Sequence, residues 1–355
     1  MCRRWRRKGN IMSKILEGRV AIVTGSGQGI GRAIALGFGA AGAKVITNNR
    51  KPGATEANMM TDEIYNKLPE DKKVWYQEQK KMHSGDAETT AQQIRDAGGE
   101  ATAFFGDFAV WDTARELVEF AVKTYGTVDI VCNVAGNFGM EDIDKMPESM
   151  WDSVNATKPK GYFNVMRFAI PYMKKQGYGR IINCASPAWT GDDIKHAEYC
   201  AANAGTVGLS YAAAKELREY GITVNTFCPF ARTRADYEAK ALGMVAEAEN
   251  RKLSASGKFA ILDMDTPGPE HVAPFITYLA SEQSQKVSGA VFIVGGNMVG
   301  LYSHPIPEKV INKPSADVWG VDEVIAEAEK ILFPGYTSIA DPQPRFFTKK
   351  IGDDE

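Results

Sequence analysis

One short stretch constrains the fold more than any other, the glycine-rich run Thr24-Gly25-Ser26-Gly27-Gln28-Gly29-Ile30-Gly31. An apolar segment, Val20-Ala21-Ile22-Val23, leads into it, and Arg32-Ala33-Ile34-Ala35-Leu36-Gly37-Phe38 leaves it with helical spacing of its apolar residues. The glycines therefore sit between a buried strand and a helix start, the setting in which a dinucleotide's phosphates are bound. Gly25 suits the tight turn, Gly29 lets the main chain approach a pyrophosphate, and Gly31 permits close helix–strand packing. The helix N-terminus offers N–H groups to the anion. Gln28 and Ile30 lie within the same turn.

Downstream, strand-like and helical segments alternate. Ala43 to Thr47 reads as a strand, Ala87 to Ala97 as a helix stopped by Gly98-Gly99, and Ala101 to Phe105 as a strand leading to Asp107 and Phe108. Thr113 to Tyr125 reads as a helix, and Val128 to Cys132 as a strand running into Asn133-Val134-Ala135-Gly136. A long helix is expected from Pro147, a strand over 180–185 followed by Ser186, and a helix near Tyr199. A strand over 222–228 ends at Pro229, 267–281 is expected to be helical, and 290–294 is the final strand. Strands alternating with helices at this spacing mean βαβ units and a doubly wound parallel sheet.

Composition removes several classes of function. The net charge of −2 gives no global case for nucleic acid or an anionic membrane surface. No apolar run approaches the ~20 residues of a membrane span. The five cysteines and four histidines show no metal or disulfide spacing, so no metal is expected and a reducing, cytoplasmic compartment is.

Three regions fall outside a compact core. Residues 1–17 are expected to form an N-terminal extension, disordered or a non-native start, with translation beginning at Met12. Residues 51–84 form a polar insertion after the second strand, either short helices over the adenosine end of a bound dinucleotide or a surface excursion or subunit contact. Residues 303–355 form a C-terminal extension with a helix over about 321–332. The main domain is then expected to span 18–302.

The spacing of the glycine turn, the Asn-x-Ala-Gly at 133–136 and the stretch Ala197-Glu198-Tyr199-Cys200-Ala201-Ala202-Asn203-Ala204-Gly205 resemble the short-chain dehydrogenase/reductase family. Within it, Asn225 to Arg234, Pro269 to Pro274 and Phe292 to Gly300 are similar to the 3-hydroxyacyl-CoA dehydrogenase domain of multifunctional enzyme type 2 and its bacterial relatives. The resemblance implies a Rossmann-type fold, an NAD(P) cofactor and interconversion of a secondary alcohol and a ketone, with an acyl-CoA as one candidate. Small free hydroxy-ketones or aldehydes, and a cofactor-binding subunit without catalysis, are the alternatives. It also implies a homodimer or homotetramer and a substrate lid over 231–262. Lys240, Arg251, Lys252 and Lys258 are candidates there for contact with a CoA ester. Phe230 replaces a common glycine and is expected to narrow the pocket.

Residue by residue, the resemblance places Gly25, Gln28, Gly29, Ile30, Gly31, Asn49, Arg50, Asp107, Phe108, Asn133, Ala135, Gly136, Tyr199, Asn203, Pro229 and Thr233 at the cofactor. Arg50 beside Asn49 favours the 2′-phosphate of NADP, although Asn49 can also hydrogen-bond a ribose diol. Ser186 would bind the substrate carbonyl and Tyr199 would move its proton.

Two departures stand out. The family's Tyr-x-x-x-Lys has Asn203 where the lysine belongs, and the family's helical asparagine falls at Lys158. A free tyrosine titrates near ~10, and an adjacent ammonium favours its phenolate. Either the two residues have exchanged places, leaving Lys158 to supply the charge and Asn203 to hold the ribose, or Lys158 is a solvated lysine like Lys160 and catalysis has decayed. Pro159 supports a specialised backbone here: it removes an amide donor and pushes Lys158 away from helical geometry, so the helix is expected to be interrupted at that point.

Overall fold

The structure, a computed structural model, describes residues 14–53, 60–191, 195–248, 267–313, 318–336 and 338. The chain divides into two units, Met1–Tyr302 and Ser303–Glu355.

The first unit is built on an eight-stranded sheet of order β3-β2-β1-β4-β5-β6-β7-β8. Its strands are β1 (Val20–Val23), β2 (Lys44–Asn49), β3 (Glu100–Phe105), β4 (Ile130–Asn133), β5 (Gly179–Cys184), β6 (Ile222–Pro229), β7 (Val291–Gly295) and β8 (Met298–Leu301). The first seven pair in parallel, and β8 returns antiparallel on β7. The helices of this unit are α1 (Gly29–Ala40), α2 (Asp62–Asn66), α3 (Glu70–Met82), α4 (Ala87–Asp96), α5 (Trp111–Tyr125), α6 (Glu148–Asn155), α7 (Tyr162–Gln176), α8 (Ala197–Leu217), α9 (Arg234–Ala248) and α10 (Ala273–Leu279).

The strands are apolar throughout because both faces of the sheet are covered. In β1, Ala21 and Val23 point into one core with α1 and α10, while Val20 and Ile22 point into the other with α5 and α7. The two-residue period of a strand splits one short run between two cores. Gly126 ends α5 in the left-handed conformation at φ 88°.

Two elements differ from the sequence reading, and a third, the interruption at Pro159, follows it. The segment 267–281 is not one helix but a short 3-10 turn, Pro269–His271, followed by α10, because Pro269 and Pro274 cannot donate within a helix. β7 is not the last strand: a two-residue turn, Gly296-Asn297, with Gly296 at φ 57°, returns the chain as β8. The long helix from 147 is broken into α6 and α7 by a wide turn, Ala156–Gly161, in which Lys158 adopts extended angles of −129° and 132°. Pro159 accounts for that break.

Residues 62–83 of the insertion form α2 and α3. Met60 and Leu68, which flank α2, and Tyr76 of α3 share a small core with Tyr237, Ala241 and Val245 of α9. The Tyr76 ring meets Tyr237 edge-on at 5.5 Å, and burial pushes its hydroxyl up to about 12. The first part of the expected lid is thus a helix packed on the insertion. Residues 249–262 of that lid, with Arg251, Lys252 and Lys258, lie outside the described residues, as do 1–13 and 339–355. In the second unit, α11 (Val321–Glu327) continues as a wider turn over Ala328–Leu332, and Glu323 pairs with Lys313 at 2.6 Å. Among the described residues, no helix is long and apolar enough to cross a membrane.

Candidate active site

Ligands of open parallel sheets bind beyond the carboxyl ends of the strands, where the strand order reverses. Here that point lies between β1 and β4. Most of the residues singled out from the sequence lie at or just beyond the carboxyl ends of the strands or on the helices that leave them, whereas Lys158 comes from the turn between α6 and α7.

The glycine turn leaves β1. A side chain at Gly25 would put its Cβ 2.6 Å from the Ala135 Cα, and one at Gly31 would lie 2.3 Å from the Gly25 carbonyl oxygen. Gly25 and Gly29 have φ of 64° and 50°. The cradle exists because those Cβ atoms are missing. Thr24 Oγ1 accepts from the Val134 N–H at 3.0 Å, fixing the turn after β4 against it, and Thr24 was not among the residues picked from sequence. α1 has no side-chain cap on its first turn, which carries Gly29, Ile30 and Gly31.

The far end of this cleft is closed by the returning insertion. Arg32 donates to the Gly27 carbonyl through Nε at 2.9 Å and to Ser84 O at 2.6 Å, and Gln28 Nε2 donates to Gly85 O at 3.2 Å. Asn49 Oδ1 is buried with no hydrogen-bond partner among the described residues, and a Cβ on Gly27 would meet it at 2.1 Å. Arg50 is exposed beside it. Asp86, also missed from sequence, caps α4 and accepts from the Gly53 N–H at 2.9 Å, and these backbone bonds outweigh burial and hold its carboxyl below the usual range. The glycine cradle, the uncapped helix start and the orphaned acceptor fit a dinucleotide. Asp107 follows β3 and accepts from the Ala109 N–H, whereas the Phe108 side chain belongs to the core beside Tyr162.

The other end is built by three elements that converge. Tyr199 and Asn203 are one turn apart on α8, with Asn203 fully buried. Lys158 comes from the wide turn between α6 and α7 and is 3% exposed, whereas Lys160 is exposed two residues later. Lys158 Nζ donates to Asn203 Oδ1 at 3.3 Å and lies 5.9 Å from the Tyr199 ring centroid and 5.6 Å from that of Tyr162. Its stem lies along Gly136, where a Cβ would meet Lys158 Cε at 2.9 Å. Lys158 is therefore not a solvated surface lysine. Burial lowers its pKa, opposed by the nearby Cys184 and Cys228 thiols.

Asn203 joins Lys158 to the helix that carries Tyr199. Its amide N–H bonds the Tyr199 carbonyl at 2.7 Å and its oxygen accepts from Lys158, so its described contacts orient the lysine. Behind it runs a buried network missed from sequence: Asn133 Nδ2 donates to Asn183 Oδ1, and Asn183 Nδ2 to Ser210 Oγ. The Tyr162 hydroxyl donates to Ala135 O at 2.9 Å, fixing the segment that runs to Gly136. Ser186 is half-buried after β5, where its Oγ accepts from the Ala188 N–H at 3.3 Å. Pro229 ends β6, and Thr233 beyond it lies 3.7 Å from where a Cβ of Gly29 would stand, over the glycine turn. Phe230 is half-buried, with its N–H bonded to Val294 O.

Comparison with known proteins agrees with this geometry. The family model for short chain dehydrogenase matches residues 70–241. The chain is 32% identical over 302 residues to the hydroxyacyl-CoA dehydrogenase ChsB1 of Mycobacterium tuberculosis, covering 83% of this chain and 82% of that protein. It is 36% identical over 224 residues to the peroxisomal multifunctional enzyme type 2 of Drosophila melanogaster, covering 61% of this chain but 32% of that longer protein. A crystal structure of a short chain dehydrogenase from Mycobacterium avium matches with a TM-score of 0.68 at 30% identity, over 90% of this chain and 95% of that one. With its sheet order, glycine cradle and Tyr199 constellation, the chain belongs to the short chain dehydrogenase family of oxidoreductases.

Proposed function

We propose that the protein interconverts a secondary alcohol and a ketone with NAD(P), and that its substrates are a 3-hydroxyacyl-CoA and the corresponding 3-oxoacyl-CoA. The observation that carries catalysis is the buried Lys158, held by Asn203 and facing the Tyr199 ring. The name of the similar mycobacterial protein supports the substrate class. When bound, the nicotinamide supplies or accepts the hydride.

The chain's own groups do the rest. The Tyr199 hydroxyl gives its proton to the carbonyl oxygen during reduction and takes it back during oxidation. Ser186 orients that oxygen. The Lys158 ammonium favours the phenolate of Tyr199, and Asn203 aims it. Gly25, Gly29 and Gly31 leave room for the pyrophosphate. α9, the described part of the proposed lid, covers the reacting carbons and excludes water.

At the adenosine end the proposed cofactor is NADP, because Arg50 stands at the end of β2. One observation favours NAD instead: the orphaned Asn49 Oδ1 is an acceptor, which suits a ribose hydroxyl and not a phosphate. A domain at 18–302, a homo-oligomer built through α7 and α8, and a cytoplasmic setting complete the proposal.

A panel of acetoacetyl-CoA, small hydroxy-ketones and aldehydes, with each nicotinamide form, tests it. The expected result is turnover of the CoA ester, reduced by about 10²–10⁴-fold in Tyr199→Phe. Dinucleotide binding without turnover of any carbonyl would replace this reading with that of a non-catalytic subunit.

A further inference from the structure

A carboxylate sits fully buried one residue before the proposed proton donor. Glu198 is 0% exposed, on the first turn of α8. Its Oε1 accepts from the Gly139 N–H at 2.9 Å, and its Oε2 has no hydrogen-bond partner among the described residues. His196 Nδ1 stands 3.9 Å from Oε1 and is likewise without a hydrogen bond among them. A carboxylate in such a place is costly unless compensated. The positive end of α8 compensates in part.

The segment that Glu198 holds is the one following β4, Gly136 to Gly139. It touches two of the proposed catalytic side chains, Lys158 and Tyr199. Gly136 lies along the Lys158 stem, and the Phe138 ring meets the Tyr199 ring edge-on at 5.7 Å and the His196 ring at 5.7 Å. Gly139 is pinned from the other side, because a Cβ there would stand 2.2 Å from Met150 Sδ. A second tie closes the same seam further on: the Glu141 N–H bonds Lys195 O at 3.0 Å, and Lys195 pairs with Asp142 at 2.8 Å.

We infer that Glu198 is a positioning residue for the reaction: by accepting the Gly139 N–H it holds Phe138 against Tyr199 and Gly136 against Lys158. This rests on Tyr199 and Lys158 acting as proposed above. The acceptor oxygen does the holding, so an amide in its place keeps the function, whereas an apolar side chain of similar size releases the turn. Displacement of a catalytic group by about 1 Å costs on the order of 10²-fold in rate.

The experiment compares Glu198→Met, Glu198→Gln and Tyr199→Phe in the full-length protein, measuring kcat, KM and the dinucleotide Kd. Glu198→Met is expected to lose about 10²-fold in kcat with the dinucleotide Kd unchanged. Glu198→Gln is expected to recover most of that loss. Turnover at the wild-type rate in Glu198→Met, or equal impairment of Glu198→Gln and Glu198→Met, overturns the assignment. Should Glu198→Met fail to fold, Phe138→Leu removes the ring contact alone: a fall in kcat supports the clamp and an unchanged kcat overturns it. Full turnover in Tyr199→Phe would defeat the catalytic reading itself, and the clamp with it, whereas an inactive Tyr199→Phe beside a fully active Glu198→Met defeats only the clamp.

Discussion

At the glycine turn between β1 and α1 the shape of the cleft is set by main chain, while beyond β5 it is set by side chains from three separate elements. In the turn, every position that matters is defined by what is missing: a Cβ at Gly25 or Gly31 would run into backbone. Such a site tolerates no exchange of roles. Around Tyr199, a lysine from the turn after α6 and an asparagine from α8 meet at 3.3 Å. Two side chains that converge on one spot can trade identities, because the chemistry depends on where the ammonium ends and not on which element carries it. The comparison teaches that departures from a familiar pattern are to be judged by side-chain endpoints at the second kind of site and by backbone room at the first.

The comparison breaks most visibly at Lys158. Lys158→Ala should leave the fold intact and cost about 2.7–4 kcal/mol of transition-state stabilisation, or roughly a hundred- to thousand-fold in turnover. The pH–rate profile should also move to higher pH, since Tyr199 loses the ammonium that favours its phenolate. Steady-state kinetics across pH check both. Near-normal turnover would mean that the buried lysine serves packing alone.

At the glycine turn the corresponding change is Gly31→Ala. The added Cβ meets the Gly25 carbonyl, an atom of the backbone that cannot rotate away. Overpacking of this kind costs about 1–3 kcal/mol, and titration calorimetry should show dinucleotide binding weakened on that scale. Unchanged affinity would show that the turn can shift without loss.

A smaller effect separates the two cofactor readings. If Arg50 meets the 2′-phosphate, Arg50→Ala should weaken NADP selectively, by about 1–2 kcal/mol for a charge-assisted contact at the surface. Equal loss for both cofactors, or tighter wild-type binding of NAD, would favour the ribose diol at Asn49 instead.

The smallest expected effect concerns stability. Burial lowers the Lys158 pKa from 10.5. Between that lowered value and 10.5 the unfolded chain binds more protons than the folded one, so this residue makes the fold more stable as pH rises through the window. Lys158→Met removes the titration. In cofactor-free protein it should raise the thermal midpoint near neutral pH, with the advantage shrinking as pH is raised towards 10. An advantage independent of pH would contradict a buried, titrating amine.

Much of this was legible in the sequence because strands covered on both faces are apolar throughout and glycines mark the stops. Lys158 could be singled out because it falls at the family's asparagine position, with Pro159 after it to mark the break in the helix. The β8 hairpin was missed although its Gly296-Asn297 turn is a recognised signal, since a four-residue strand containing Gly300 has little apolar pattern of its own. The breaks at Pro269 and Pro274 were likewise legible, since proline cannot donate within a helix. The role of Glu198 was not legible at all: its partner is Gly139, far away in sequence, and only the packing of α8 against the turn after β4 brings the two together. The same holds for the Asn133–Asn183–Ser210 network.

The exchange of lysine and asparagine is tested most directly by reversing it. Lys158→Asn and Asn203→Lys should each lose turnover when made alone, and the double variant should recover more activity than either, because groups that act as one unit are not additive. Recovery in the double variant, with turnover approaching that of the unaltered protein, is the predicted result. A double variant no more active than the weaker single change would contradict the account.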